Sequence, residues 1–405
     1  MSRFLLEPCN NTLSHVAKCL ALREVLEARG HEVFLTVSAA RASFLDRLGH
    51  NCYFVLPDIQ EADGGPTPVF PWFRPKRVEA CVRAEVDLLR RLKPDAVLGV
   101  FRFTGALSAK LAGIPYDALI CGSMTPACTD VLGFAADEPG ANEQAAALRL
   151  YRRACADRMR PAFTALGLDP VDDAWQLLLG RRTFLWDFPE FQPLPPTPGY
   201  YHVGPVHWSG WPQAQTGNDA LDRLEGSIAY VAFGTGFVPP RLLRHLVEVL
   251  WRMGYSVALA LGGQATTAEL PASPTRLAVF EFLPVEQILP RTSLVVCHGG
   301  QGLVFDAMRQ RIPVFVLPLQ LEQAQNGVCL ERMGCGRRLL RGEVFTGQLD
   351  FSETAFLNRP VKVLAEEMSA FLADQQMPAC LAVASEQVSR YQGVHDLASR
   401  LEENP

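Results

Sequence analysis

The stretch Leu294-Val-Val-Cys-His-Gly-Gly-Gln-Gly-Leu-Val-Phe-Asp306, followed by Pro313-Val-Phe-Val-Leu-Pro318 and Glu322-Gln323, decides how this chain is read. An apolar run of strand length ends on His298, the glycines 299, 300 and 302 follow, and a helical pattern then begins. Small residues let an anion approach the backbone, the first N–H groups of a helix have no partner inside it, and the helix dipole adds partial positive charge. His298 adds a side-chain donor at the lip. The simplest ligand for such a cradle is a diphosphate. A dinucleotide site would need G-x-G-x-x-G and an acid about 20 residues on. Gly300, Gly302 and Glu322 supply part of that pattern, but Phe305 stands where the third glycine belongs. The stretch also falls in the last third of the chain, whereas such a fingerprint usually opens its domain. A nucleotide-sugar site is the better reading.

Outward from that stretch, strands alternate with helices. The apolar pattern gives strands at Phe4–Leu6, Val33–Val37, Asn51–Leu56, Ala96–Val100, Tyr116–Ile120 and Thr183–Trp186, the last strand of the first half. Helices are expected at Val16–Ala28, Arg77–Leu92, Gly105–Leu111 and Ala141–Leu166. Prolines crowd the segment Pro189–Pro212, which marks a connection because proline lacks the N–H that ladders and helices require. Strands resume at Ile228–Phe233, Val257–Leu261, Leu277–Phe280, Leu294–Cys297 and Val314–Leu317, with a helix at Pro240–Met253. This is an α/β chain of two doubly wound, Rossmann-like domains facing across a cleft. The expected division is 1–204, a linker over 205–218, 219–380, and a terminal helix (within Met377–Glu403) over 381–405.

Composition narrows the function classes. At 405 residues the chain exceeds the usual limit for one core. A formal charge of −5 with scattered basic residues gives no general attraction for nucleic acid. No apolar run approaches the roughly 18 to 20 residues that cross a bilayer, and the opening Met1-Ser-Arg-Phe-Leu-Leu-Glu7 is too short and too acidic for a secretory signal. The expected location is the cytoplasm, with no stable membrane insertion. Eleven cysteines without C-x-x-C spacing argue against both a disulfide framework and a zinc site.

The segment His298–Asp306, with Ile312-Pro313, Pro318-Leu-Gln-Leu-Glu-Gln323 and Asn326, resembles the donor-site signature of the UDP-glycosyltransferase family of the glycosyltransferase B fold. Four further segments match in order: Phe282-Leu-Pro-Val-Glu-Gln-Ile-Leu289, Tyr201-His-Val-Gly-Pro205, Ser14–Leu22 and Arg29–Val33. The resemblance implies a terminal helix that packs back across the N-terminal domain. It also implies inverting, metal-independent transfer of a sugar from UDP or dTDP to a small-molecule acceptor, aromatic or lipophilic in character. No cofactor is needed beyond the nucleotide-sugar co-substrate. The sequence has no D-x-D triplet of the kind that holds a divalent metal on the diphosphate in the other glycosyltransferase fold.

Each requirement of that chemistry has a candidate. Gly299, Gly300 and Gly302 offer backbone to the diphosphate, with His298 and Thr235 as side-chain donors; a packed histidine and a simple turn hydroxyl are the competing readings. Asp306 would accept the ribose hydroxyls, unless it is a solvated first-turn acid. Phe282 would stack on the base while the Leu283 backbone reads its edge, unless Phe282 is core. By resemblance, Glu322 and Gln323 hold sugar hydroxyls and His15 is the catalytic base; the competing reading leaves His15 bonded to Asn10, Asn11 or Ser14. The chain departs from the family at Val100, where many members carry an aspartate for the histidine, and at Ser14, Lys18, Val285, Leu303 and Glu322. Acceptor contacts are expected from the loops Pro66–Arg77 and Asp130–Gly140. Competing functions are a noncatalytic nucleotide-sugar-binding or partner protein, a nucleotide-sugar epimerase, and an NAD-dependent oxidoreductase.

Overall fold

The computed structural model describes residues 1–50, 52–59, 70–210, 219–236, 238–263, 270–341, 344 and 353–403. Two all-parallel sheets organise it. The first contains β1 (Arg3–Pro8), β2 (Glu32–Val37), β3 (Phe54–Val55), β4 (Ala96–Val100), β5 (Tyr116–Ile120), β6 (Thr183–Leu185) and β7 (Tyr200–His202), in the order β3-β2-β1-β4-β5-β6-β7. The second contains β8 (Ile228–Ala232), β9 (Ser256–Ala260), β10 (Leu277–Phe280), β11 (Thr292–Cys297), β12 (Val314–Val316) and β13 (Gly336–Arg338), in the order β10-β9-β8-β11-β12-β13. In each sheet the order reverses once, between β1 and β4 and between β8 and β11. Beyond the carboxyl ends of strands at such a switch point, the outgoing loops part and leave a crevice.

Both faces of each sheet are covered, which is why the strands read as continuous apolar runs. Phe4 and Leu6 of β1 pack on Val16 and Leu20 of the helix Leu13–Ala28, while Leu5 packs on Leu88 and Leu89 of the helix Pro75–Leu92. In β11, Val295 and Cys297 face Phe305 and Met308, and Leu294 and Val296 face Leu246 and Leu250.

Several elements differ from the sequence reading. Helix Ala39–Arg47 was not expected, since Leu45 is its only buried residue and its apolar stripe is faint. Strands β7 and β13 were not expected either; three residues such as Gly336-Arg-Arg338 carry no apolar alternation and are strands only because β12 pairs with them. The strand at Asn51–Leu56 contracts to Phe54–Val55, and Asn51 lies outside the described residues.

The single terminal helix is two, Met377–Ser389 and Val394–Glu403. They break at Gly393, which has φ +54° and would place a Cβ 1.9 Å from the Pro205 carbonyl oxygen. The first packs Leu381, Ala384 and Val388 into the second core; the second packs Leu397, Ala398 and Leu401 into the first.

The connection is also more than a linker. Phe188 and Phe191 sit in the second core against Phe305, after which the chain returns to the first sheet as β7. Residues 211–218 of the expected linker and 66–69 of the expected acceptor loop lie outside the described residues. In the remainder of that loop, the aromatics turn inward. Phe70 N–H donates to the Tyr151 hydroxyl at 2.8 Å, Trp72 is buried, and Phe73 meets Phe103 edge-on at 5.0 Å.

One buried charge has a measurable effect. Glu7 on β1 is fully buried, and neither carboxylate oxygen has a hydrogen bond among the described residues. Burial, and then the charge of Glu85, push its pKa up to about 8, against the pull of Arg102. The folded chain therefore keeps a proton that the unfolded chain releases above its ordinary value of 4.5. That stability is complete below pH 4.5 and is lost as pH rises towards 8. Glu7→Gln should gain on the parent by roughly 1 kcal/mol per pH unit across this window. Urea unfolding at pH 5, 6.5 and 8 checks this, and a constant difference would contradict it.

Candidate active site

Each switch point delivers one side of a site. On the first sheet, β1 ends at Pro8, and Cys9 N–H donates to the Val100 carbonyl at 2.9 Å. The following loop is pinned. Asn10 donates to Asp58 from its backbone (3.2 Å) and its amide (2.7 Å), Asp58 pairs with Arg102 at 3.1 Å, and Arg102 pairs with Glu85 at 2.5 Å. Arg41 donates to the carbonyls of Asn10 and Asn11 at 2.9 and 3.1 Å.

This loop presents the Cys9 carbonyl to His15 Nδ1 at 3.2 Å. A carbonyl only accepts, so Nδ1 carries the proton and Nε2 is left with its lone pair. The ring packs against Phe101 at 5.3 Å and Trp186 at 5.7 Å. Burial, followed by the charge of Lys18, drives its pKa down to about 3, so it is neutral at physiological pH. Two of the competing partners are committed elsewhere, Asn10 to Asp58 and Ser14 to Thr12 at 3.0 Å, while Asn11 Oδ1 is buried without a hydrogen bond among the described residues and makes none to the ring. Val100 is fully buried and supplies no carboxylate, and the Cys9 carbonyl orients the ring instead.

On the second sheet, β11 ends at Cys297 and the chain turns sharply. Gly299 has φ +90°, and a Cβ there would lie 2.7 Å from both the Gln323 carbonyl oxygen and Val316 Cγ1. A Cβ on Gly300 would lie 2.6 Å from His298 Nε2, and one on Gly234 3.4 Å from His298 Cε1, so the imidazole lies between those glycines. Burial lowers its pKa to about 4, outweighing the Ala232 carbonyl, and the ring is neutral. The helix Gln301–Arg309 starts at Gly300 with no side-chain cap, and Gly302 faces open space.

The remaining expected residues divide by surroundings. Thr235 is exposed on the turn beside Gly234. Phe282 is 50% exposed, lying over the Gly263 backbone rather than in the core, while Leu283 is buried and its carbonyl accepts the Tyr230 hydroxyl at 3.4 Å. Asp306 is not a free surface acid: Arg309 lies at 3.3 Å and His207 at 3.5 Å, and His207 also reaches Glu286 at 3.1 Å. Burial raises its pKa, against the pull of His207 and Arg309. Glu322 begins the helix Leu321–Arg332, and burial brings its pKa to about 7, so near neutrality it can donate or accept. Gln323 accepts Leu319 N–H at 2.9 Å and braces its own loop.

Residues given no site role in the sequence reading join the two sides. Trp186, just beyond β6, donates to Gln301 at 2.5 Å, Gln301 donates to Asn326 at 3.1 Å, and Asn326 donates to the Gly299 carbonyl at 2.8 Å. His15 is thereby linked to the glycine bend through Trp186, Gln301 and Asn326. The loop expected to meet the acceptor at Asp130–Gly140 is instead clamped across the domains. Arg338 holds the Gly133 carbonyl (2.6 Å) and Glu138 (3.0 Å), and Gln325 holds Gly133 N–H (3.2 Å) and Asp130 (2.9 Å). Among the described residues, no group of three or more His, Cys, Asp or Glu side chains is placed to hold a metal ion.

No family model matches the chain. A PGL/p-HBAD biosynthesis rhamnosyltransferase of Mycobacterium bovis (strain BCG / Pasteur 1173P2) is 27% identical over 366 residues, covering 83% of this chain and 76% of the relative. Among solved structures, the glycotransferase of kitacinnamycin superposes with TM-score 0.71 at 18% identity, covering 100% of this chain and 99% of its own. Glycosyltransferase VinC in complex with dTDP gives 0.69 at 15% identity, covering 100% and 99%. Spinosyn rhamnosyltransferase SpnG with spinosyn aglycone gives 0.66 at 18% identity, covering 99% and 100%. The two facing parallel sheets and the glycine-lined cleft are those of a glycosyltransferase of the glycosyltransferase B fold. Within that class, the chain resembles the UDP-glycosyltransferase family on the segments quoted above.

The open face of Gly302 gives a direct test. A Cβ at Gly302 meets nothing within 4 Å, and a side chain there improves helix propensity, so the melting temperature of Gly302→Leu should stay level or rise. Its affinity for UDP or dTDP, by calorimetry, should fall at least tenfold. Undiminished affinity would move the diphosphate off this helix.

Proposed function

We propose that the chain is an inverting glycosyltransferase that moves a sugar from UDP or dTDP to a hydroxyl of a small apolar or aromatic acceptor, without a divalent metal, and that His15 is its general base. The observation that carries this reading is the His15 tautomer: Nδ1–H is pinned to the Cys9 carbonyl, Nε2 has no hydrogen bond among the described residues, and the ring packs on Trp186, which donates to Gln301 at the glycine bend. Nε2 takes the acceptor's hydroxyl proton as the oxygen attacks the anomeric carbon. The bond to the diphosphate breaks on the opposite face, and configuration inverts. The uncapped N–H groups at Gly300–Gly302 and the His298 ring would meet the charge that develops. Phe282 would stack on the base, Asp306 would take the ribose, and Glu322 with Gln323 would take the sugar. Thr235 and the Leu283 backbone complete the proposed donor contacts.

Phe101 and Trp186 beside His15 favour a flat or apolar acceptor. The relative named as a rhamnosyltransferase and the neighbour holding spinosyn aglycone support a natural-product acceptor, and the dTDP-bound neighbour supports dTDP as readily as UDP.

His15→Ala should lower kcat by about 10²–10⁴-fold while leaving UDP or dTDP affinity within threefold. Unchanged turnover would remove His15 from the mechanism. Donor consumption without acceptor would favour an epimerase, and binding of NAD with indifference to UDP and dTDP an oxidoreductase.

The buried environment also sets a pH dependence. A solvated histidine would halve kcat/KM near pH 6.5. With the free-enzyme pKa at about 3, His15 imposes no such acid limb, and kcat/KM should not show a histidine-like fall between pH 7.5 and 5.5 that His15→Ala abolishes.

A further inference from the structure

Lys18 stands one turn beyond His15 on the helix Leu13–Ala28 and so shares its face. Its ammonium lies 4.7 Å from the Trp186 ring centroid. This is the indole that packs against His15 and donates to Gln301 at the start of the glycine-bend helix. Among the described residues no carboxylate comes within ion-pair distance of it. The Cys121 thiol at the end of β5 is within electrostatic reach but stays protonated, its pKa pushed up to about 12 by burial. A half-buried ammonium whose counterpart is an aromatic face is held at a cost, because a ring quadrupole returns only about 0.5–2 kcal/mol. Its helix already buries Val16, Cys19, Leu20 and Leu22 and does not need the charge for packing.

Glycosyl transfer supplies the missing anion. When the anomeric bond breaks, the nucleoside diphosphate leaves with an additional negative charge. On the second sheet's side, the donors at the bend are neutral: backbone N–H groups and a neutral His298, while Arg309 is engaged with Asp306. We propose that Lys18 is a further catalytic residue, whose ammonium leaves the Trp186 ring to contact the diphosphate of the donor as it departs. This rests on the proposed donor site. The contact is ionic and hydrogen-bonded; no proton leaves the lysine.

The test compares the full-length parent with Lys18→Met, which keeps the stem, Lys18→Gln, and Lys18→Arg, which keeps the charge. Calorimetry uses UDP and UMP, or dTDP and dTMP, and steady-state kinetics vary donor and acceptor in turn. The expected result is an approximately tenfold loss of diphosphate affinity in the Met and Gln variants, with monophosphate affinity within twofold. Their kcat should fall 10- to 100-fold with acceptor KM unchanged, and Arg should recover at least a third of kcat. A structural role would not separate diphosphate from monophosphate. Equal losses for both nucleotides, no loss, or a change confined to acceptor KM would overturn the assignment. If the parent binds neither diphosphate, the donor site itself falls and Lys18 with it; if parent and Met variant bind equally, Lys18 alone falls.

Discussion

The hydrogen bond from the Trp186 indole to Gln301 joins the first sheet, just beyond β6, to the helix that follows β11 at the second sheet's switch point. It is short, and Trp186 is 6% exposed, so breaking it would strand a buried donor, at a cost of about 1–3 kcal/mol. Its consequences spread in both directions. Towards the second sheet, Gln301 passes the constraint through Asn326 to the Gly299 carbonyl and so fixes the glycine bend. Towards the first, the same ring forms a wall for His15 and a seat for Lys18. In the proposed mechanism, acceptor chemistry and donor binding would thus share one side chain, and the relative placement of the two domains would be a condition of both.

That placement is secured on the far side by charge. Arg338 is nearly buried between Glu138 and Glu331, and it also holds the Gly133 carbonyl. A buried ion pair of this kind adds little net stability over an apolar contact, yet removing one partner is costly. It therefore acts as a register pin, fixing where the 130–140 loop meets the second domain. The crossing of residues 203–206 over Tyr391 and Gly393 does the same at the back, where Gly204 and Gly393 both have positive φ and no room for a Cβ.

Much of this was legible in the sequence where a local rule had only one solution. Strands buried on both faces read as apolar runs, so the apolar centres of β1, β4, β8 and β11 stood out. The glycine bend was legible because Gly299 tolerates no side chain and Gly302 leaves its face open. His15 was found by resemblance rather than by pattern, and its surroundings could not be read: the carbonyl that orients it belongs to a loop held by Asp58, which is distant in sequence. Trp186 and Gln301 are 115 residues apart, and neither sits in a pattern that predicts the other. The break at Gly393 and the clamping of Asp130–Gly140 depend on tertiary neighbours in the same way, so periodicity reported a continuous helix and an open loop.

The absent aspartate changes the electrostatics of the base rather than its geometry. An aspartate behind Nδ1 would fix the tautomer and also stabilise the imidazolium as the proton arrives. The Cys9 carbonyl does the first fully and the second only weakly, because it carries a dipole and not a charge. Lys18 works against the imidazolium as well, which leaves the His15 ring a weak base. Under the proposed mechanism a bound diphosphate would reverse that balance, its negative charge drawing on Lys18 and favouring a positive ring nearby. Donor binding would thereby raise the basicity of His15, so that proton abstraction is tied to the presence of a sugar to receive the nucleophile.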